Sequence, residues 1–313
     1  MKLREFWPSL SRKLMRVGRG PRWAQQLRSE ITDTKLLVAR LLIEQMRARG
    51  PLARLADAEF KVFSQFGDDG IIQYLVHRLA VQPQTFVEFG VENYRESNTR
   101  FLLANDNWQG LVLDASNRNV QTIRSDEIFW RHDLNAVSAF ITRENINDLL
   151  TNNGCQGSLG LLSIDIDGND YWVWERIECV EPVIVVVEYN SLFGADKPVA
   201  VPYDPLFYRT NAHWSNLYFG CSLAALCFLA EKKGYVFVGS NSHGNNAYFV
   251  HRKHLGDLQP LTAALGYFES RFRESRNQDG KLSFLRGKAR RDLIADLPVV
   301  DVETGRSYRV GDL

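Results

Sequence analysis

Residues 159–172 read LGLLSIDIDGNDYW, an apolar run of strand length that ends on acids and leads into a helical pattern near Tyr171. Six further runs have the length and composition of strands. They are Thr85–Gly90, Gly110–Asp114, Glu127–Asp133, Pro182–Tyr189, Tyr235–Val238 and Asn246–Val250. Helical segments separate most of them, which predicts an α/β protein with a doubly wound, mainly parallel sheet of seven strands. The loop 239–245 is too short for a parallel crossover, so we expect the final strand to be antiparallel.

A basic helical extension precedes this alternating region. Apolar residues recur at helical spacing over 22–49, and Gly50-Pro51 ends the pattern. Residues 1–50 contain twelve Lys/Arg and four Asp/Glu, a net charge of +8, which leaves −7 for the other 263 residues. We therefore expect an extension over 1–58, the α/β domain over 59–255 and a helical or irregular C-terminal extension over 256–313.

Composition excludes several classes of protein. The net charge of +1 gives no indication of nucleic-acid binding, and no apolar run approaches the ~20 residues that span a bilayer. The basic extension leaves peripheral contact with a membrane open. Cys155, Cys179, Cys221 and Cys227 form no CxxC pair, so a reducing, cytoplasmic location is expected. Oligomeric state stays undetermined.

Acidic residues stand at the ends of successive predicted strands. Ligands of doubly wound sheets bind beyond the carboxyl ends of the strands. The residues predicted there are Glu88, Gly90, Asp114, Asp133, Asp165, Asp167 and Glu188. The segment that follows Gly90 lacks the GxGxxG pattern that cradles a pyrophosphate, and it carries Glu92 and Glu96. This disfavours NAD and nucleotide sugars and favours an adenosine ligand without phosphates.

Three segments carry a family resemblance: FSQFGDDGII at 63–72, FVEFG at 86–90 with SNT at 97–99, and SIDIDGNDYWVW at 163–174. They resemble class I S-adenosylmethionine-dependent methyltransferases, which have a Rossmann-like sheet, and within them the FkbM-like group. The resemblance covers about residues 60–255. It implies an O-methyltransferase acting on a hydroxyl of a saccharide or glycan-like acceptor.

The resemblance also implies roles for matching positions. Glu88 and Gly90 would shape the pocket for the methionine end, Asp114 would hold the ribose, and Asp133 would lie near the adenine amino group. Gln65 would reach the amino-acid moiety. Asp165 and Asp167 would lie nearest the transferred methyl group, where a carboxylate, His213 or His243 would take the proton of the acceptor.

Some related sugar methyltransferases use a divalent metal. Asp165, Asp167, Asp170 and Glu188 offer oxygen ligands of the type that Mg²⁺ prefers. Residues 167–170 are equally typical of a turn that begins a helix. The missing glycines leave a second hypothesis open, in which the fold serves as a binding protein without methyl transfer.

Overall fold

A computed structural model describes residues 22–271 and 274–313. The chain divides into two compact units at the boundary between Ala48 and Arg49. The first unit is described from residue 22 and contains the predicted long helix, α1 (Arg22–Arg49). The earlier part of the basic extension, residues 1–21, lies outside the described residues. Within the ranges that the structure describes, no helix is both long and apolar enough to cross a membrane.

The second unit is built on a seven-stranded sheet in the order β3-β2-β1-β4-β5-β8-β7. The strands are β1 (Thr85–Phe89), β2 (Gln109–Asp114), β3 (Leu134–Ser138), β4 (Gly157–Ile164), β5 (Val180–Glu188), β7 (Tyr235–Ser240) and β8 (Asn246–His251). The first five are parallel, and β8 runs antiparallel to both β5 and β7. The predicted Rossmann-like fold with an antiparallel final strand is confirmed.

Short helices connect the strands and cover the sheet. They are α2 (Asp68–Arg78), α3 (Arg100–Asp106), α4 (Asn117–Ser125), α5 (Glu127–Arg131), α6 (Ile146–Asn152), α7 (Asp170–Arg176), α8 (Arg209–Ala212), α9 (Leu223–Lys232), α10 (Ala263–Gly266) and α11 (Lys288–Asp292). Because helices lie on both faces, the central strands are apolar throughout, and Ile184 to Val187 in β5 are almost fully buried.

The C-terminal segment forms part of a second, small sheet that the sequence did not predict. Strand β9 (Pro298–Asp301) pairs with β10 (Ser307–Arg309) and with β6 (Val199–Ala200). Strand β6 belongs to the long segment between β5 and α9, which was predicted as a loop. The C-terminal residues therefore stabilise one end of that segment.

The third strand was predicted at the wrong place. Residues 127–133 contain helix α5, which Asp126 caps by accepting a hydrogen bond from the Ile128 amide (3.1 Å). The strand begins only at Leu134. The three consecutive apolar residues Ile128, Phe129 and Trp130 fit one turn of helix as well as a short strand, and the Asp126 N-cap favours the helix.

Candidate active site

The functional edge of the sheet lies where the chain order reverses. Strand β1 has β2 on one side and β4 on the other, so the connections leave β1 and β4 in opposite directions. In doubly wound sheets, ligands bind in the crevice at this point. The residues just beyond β1 and β4 are Gly90 and Asp165.

Gly90 makes the closest approach in this crevice. Its φ is +70°, and a Cβ atom at this position would lie 1.6 Å from the carbonyl oxygen of Asp165. Its amide donates to the Leu113 carbonyl oxygen at 2.9 Å. Only glycine combines this backbone conformation with this contact, so Gly90 joins the ends of β1, β2 and β4.

Glu88 is buried, and its carboxylate is fully engaged. It accepts hydrogen bonds from the Ser97 hydroxyl (2.6 Å), the Asn98 amide (2.8 Å), and both the amide (3.0 Å) and hydroxyl (2.5 Å) of Thr99. Burial raises its pKa even so. The predicted motif 97–99 is thus held beside β1, and Glu88 shapes the crevice through that segment. Helix α3 begins at Arg100, directly after this segment.

Asp114 ends β2 and is only 7% exposed. Its two oxygens accept hydrogen bonds from the Glu92 amide (2.8 Å), the Ser116 amide (2.8 Å) and the Asn119 side chain (3.0 Å). The carboxylate therefore ties the loop after β1 to the end of β2. One of its oxygens, Oδ2, has a single protein donor and retains a lone pair for a ligand.

The placement of Asp133 contradicts its predicted role. Asp133 precedes β3, and its carbonyl oxygen accepts a hydrogen bond from Gly110 near the start of β2 (3.0 Å). It lies at the amino edge of the sheet, roughly 16 Å along the strand from the carboxyl end of β3. The prediction was wrong because the strand was placed one element too early. The segment at the correct end is Ala139-Phe140.

Three carboxylates predicted from the sequence do come together. Oxygen atoms of Asp165, Asp167 and Glu188 lie within 4.8 Å of one another. We call these three residues the acidic trio. Burial, and then the charge of Asp167, raise the pKa of Asp165, while burial and then Asp165 raise the pKa of Glu188. Among the residues that the structure describes, none offers a hydrogen bond to the buried Oε2 atom of Glu188.

Asp170, a further predicted metal ligand, holds the turn after β4 through hydrogen bonds to the backbone. Its carboxylate accepts hydrogen bonds from the backbone amides of Ile166 (2.8 Å) and Gly168 (2.9 Å). These two bonds close the turn between β4 and α7. Burial raises the pKa of Asp170 to about 6. Asp167, at the centre of this turn, has φ +56° and an exposed side chain.

Arg209 of α8 was not identified from the sequence. Its guanidinium pairs with Asp167, donates from Nε to the Asn216 carbonyl oxygen (2.9 Å) and lies 3.8 Å above the ring of Phe219. Its Nη2 is 3.8 Å from Glu274. One arginine thus faces several acids and offsets their mutual repulsion only in part, since the pKa values of Asp165 and Glu188 stay raised. No local pattern marks it, because 42 residues separate it from Asp167.

The two candidate histidines lie in different surroundings. Nδ1 of His213 is 2.7 Å from the Ser215 hydroxyl, and partial burial lowers the pKa of His213, which favours the neutral ring. His243 stacks on Phe66 with ring centroids 4.2 Å apart, and its buried Nδ1 has no partner. This stack brings the loop of His243 next to exposed Gln65.

Two buried acids that the sequence analysis did not single out hold the Gln65 loop. Oδ2 of Asp69 accepts hydrogen bonds from three successive amides, those of Val62 (2.7 Å), Phe63 (2.7 Å) and Ser64 (2.9 Å). Asp68 accepts from the side chains of Asn241 (2.9 Å) and Asn246 (3.0 Å). The register places Asn246 opposite Glu188, so this network lies on the strand next to one member of the acidic trio.

The segment between β5 and α9 folds onto the turn after β4. Phe207 covers Gly168, where a Cβ atom would lie 2.2 Å from its ring. Asn169 donates from Nδ2 to the Asp204 carbonyl oxygen at 2.8 Å. This segment carries aromatic residues: Tyr208 and Trp214 expose 55% and 37% of their surface, whereas Tyr203 pairs with Glu144.

Comparison with known proteins found no matching family model and no matching curated protein. Among solved structures, the chain is similar to an O-methyltransferase from Bacillus cereus in complex with SAH, at 13% identity and a TM-score of 0.38, over 78% of this chain and 96% of that chain. A putative O-methyltransferase from Klebsiella pneumoniae also has 13% identity and a TM-score of 0.38, over 78% and 95%. The N-terminal domain of EvdMO1 with SAH bound has 10% identity and a TM-score of 0.38, over 68% and 94%. The fold described above rests on the sheet order, not on these similarities.

Proposed function

We propose that the protein is an S-adenosylmethionine-dependent O-methyltransferase of the FkbM-like type, acting on a hydroxyl group of a saccharide or glycan-like acceptor. One observation carries the proposal: the acidic trio lies at the switch point beside Gly90, and Arg209 neutralises only part of its charge. Such a site favours a cationic sulfonium and opposes a phosphate. Two of the segments with the family resemblance, 86–90 and 163–174, contain Gly90 and Asp165 and so contribute to this crevice.

Nucleotide sugars and NAD are poorer candidates. The loop after Gly90 presents Glu92 and Glu96, and the Glu92 amide already donates to Asp114. A pyrophosphate would need free backbone amides and no nearby carboxylates. The loop therefore supports an adenosine ligand of positive rather than negative charge.

The residues divide into contacts for the two ends of the ligand. Oδ2 of Asp114 would accept a hydrogen bond from a ribose hydroxyl. Gln65 would reach the amino-acid moiety from the loop that Asp68 and Asp69 hold. Glu88 and Gly90 would act indirectly, by fixing the crevice walls. We assign the adenine end to Ala139-Phe140 in place of Asp133, because Phe140 is 41% exposed at the carboxyl end of β3.

In the transfer, a methyl group leaves sulfur for the acceptor oxygen, and the hydroxyl proton must move to a base. Asp165 and Asp167 would orient the acceptor and take that proton. His213 and His243 are alternative bases, and Nδ1 of His213 already accepts a hydrogen bond from the Ser215 amide (3.3 Å), so His213 would have to change tautomer to take the proton. Tyr208 and Trp214 would pack on the sugar ring.

The test is calorimetric titration with S-adenosylhomocysteine, NAD and a UDP-sugar. Of these three ligands, we expect only S-adenosylhomocysteine to bind. Asp114→Ala should weaken its binding by about 1.5–3 kcal/mol, because a hydrogen bond to a charged group is lost. Asp148→Ala serves as the control, since Asp148 is an acid on α6. Absence of heat with S-adenosylhomocysteine would end the methyltransferase proposal. Unchanged affinity of Asp114→Ala would refute only the ribose contact.

We further propose that Asp165, Asp167 and Glu188 hold a divalent cation such as Mg²⁺. The unpartnered buried oxygen of Glu188 and the close carboxylates fit an oxygen-ligand site. When bound, the cation would supply positive charge next to the acceptor oxygen. Because Arg209 pairs with Asp167, the Asp167 carboxylate would have to contact both the guanidinium and the cation.

Metal binding is tested by thermal unfolding. After treatment with a chelator and dialysis, Mg²⁺ or Mn²⁺ should raise the Tm, since saturation at 100 times Kd adds about 2.7 kcal/mol. Glu188→Gln should remove this rise, and Glu175→Gln, on exposed α7 surface, should retain it. A Tm that does not respond to either ion would remove the metal from the mechanism.

A binding protein without methyl transfer is the second candidate. The pairing of Arg209 with Asp167 favours this candidate, because the guanidinium already engages a carboxylate that methyl transfer would use. Binding of S-adenosylhomocysteine without turnover of any saccharide acceptor would favour it. For either function we place the protein in the cytoplasm, which the four free cysteines support.

A further inference from the structure

Helix α1 has an apolar stripe that is exposed to solvent. Leu27, Ile31, Val38 and Leu41 each expose between 48% and 66% of their surface. Large apolar side chains aligned on one face of a helix are usually covered by a partner. The spacing and the composition of the stripe indicate which kind of partner covers it.

The stripe repeats at alternating intervals of four and three residues. The series runs Leu27, Ile31, Thr34, Val38, Leu41 and Gln45, and Ala24 extends it by three residues toward the N-terminus. This is the heptad spacing of a coiled coil, with Ile31 and Val38 at a positions and Leu27 and Leu41 at d positions. The helix of 28 residues is about 42 Å long, enough for three heptads.

The composition of the stripe selects the number of strands. β-branched residues at a with leucine at d favour two parallel helices over three or four. Thr34 and Gln45 add polar residues within the seam, which limit slippage of the register at some loss of stability. These features point to a parallel pair of identical helices.

The flanking g and e positions are complementary in such a pair. A g residue meets the e residue five positions later on the other helix. Glu30 would thus face Lys35 of the partner subunit, and Glu44 would face Arg49 of the partner subunit. At the intervening position Leu37, itself 61% exposed, would pack on Leu42 of the partner subunit and extend the apolar contact.

A membrane surface fits the same face less well. Glu30 and Glu44 flank the stripe directly, and an anionic bilayer would repel them. The basic residues Lys35 and Arg49 lie on the other flank, so a second copy of the helix matches the charges of both flanks, whereas an anionic bilayer matches only one.

We propose that α1 pairs with α1 of a second copy of this chain as a parallel two-stranded coiled coil. The protein is then a homodimer whose contact is independent of the proposed methyltransferase site.

Sedimentation velocity of the full chain tests the dimer. We expect a mass about twice 35.8 kDa at micromolar concentration. Val38→Lys, at the centre of the stripe, should raise the dissociation constant by at least about 100-fold, because the ammonium would have to be buried in the seam. Asp33→Lys, at an exposed c position, should leave the dimer intact. Since both sites are exposed, circular dichroism should show an unchanged fold.

A charge exchange tests the parallel arrangement. Glu30→Lys should weaken the dimer, and Glu30→Lys combined with Lys35→Glu should restore it. A monomeric wild-type chain, a dimer insensitive to Val38→Lys, or a double variant no better than Glu30→Lys would overturn the proposal. Cosedimentation of a monomeric chain with vesicles of anionic lipid would assign the stripe to a membrane instead.

Discussion

Replacement of Gly90 by alanine should prevent the second unit from folding stably. The new Cβ atom would lie 1.6 Å from the Asp165 carbonyl oxygen, and alanine would also have to adopt φ +70°. The backbone of Asp165, directly after β4, cannot shift without disturbing the central pair β1 and β4. We expect a loss of at least 4 kcal/mol, because severe overpacking and backbone strain combine at one position. Soluble yield and urea denaturation measure the effect.

Gly154→Ala separates the two causes. Gly154 has φ +81°, but nothing lies within 4 Å of the position of a Cβ atom. This control should cost only about 1–2 kcal/mol, the energy of the left-handed conformation. Equal stability of the two variants would show that the contact of Gly90 with Asp165 is unimportant.

Replacement of Asp165 by asparagine should stabilise the ligand-free protein near neutral pH. Burial and the neighbouring Asp167 raise the pKa of Asp165. The folded state therefore binds more protons than the unfolded state, and stability falls as the pH rises from about 4 through the raised pKa. Asparagine removes this penalty because it has no charge. Each 1 kcal/mol of relieved repulsion should raise Tm by roughly 2–4 °C.

The measurement is Tm against pH in the presence of a chelator. Wild type and Asp165→Asn should have similar Tm values near pH 4 and should diverge as the pH increases. The same variant should lose affinity for S-adenosylhomocysteine or for Mg²⁺ if the trio binds either. A variant less stable than wild type at pH 8 would mean that Asp165 forms favourable contacts that outweigh the repulsion.

Local pattern identified most of the sheet. Strands β1, β2, β4, β5, β7 and β8 are continuous apolar runs with clear turn residues, so their composition suffices. Strand β3 was missed because it reads LNAVS, too short and too polar to stand out beside the aromatic run before it. Asp133 was misplaced as a consequence.

The candidate site was predicted in part for the same reason. Asp165, Asp167 and Glu188 end strands that the pattern identifies, and parallel strands bring their carboxyl ends to one edge. Arg209, Asp68 and Asp69 act across long separations in sequence, where periodicity carries no information.

Composition and spacing alone determine the order of elements, the acids at the strand ends and the heptad stripe of α1, because these depend on neighbours along the chain. Tertiary structure decided which of the acids is available. Glu88 and Asp170 have nearby donors that occupy their carboxylates, whereas Glu188 retains a buried oxygen without a partner. That difference depends on which donors the fold brings within 3 Å, and hydrogen bonds of such short range cannot be assigned before the chain is packed.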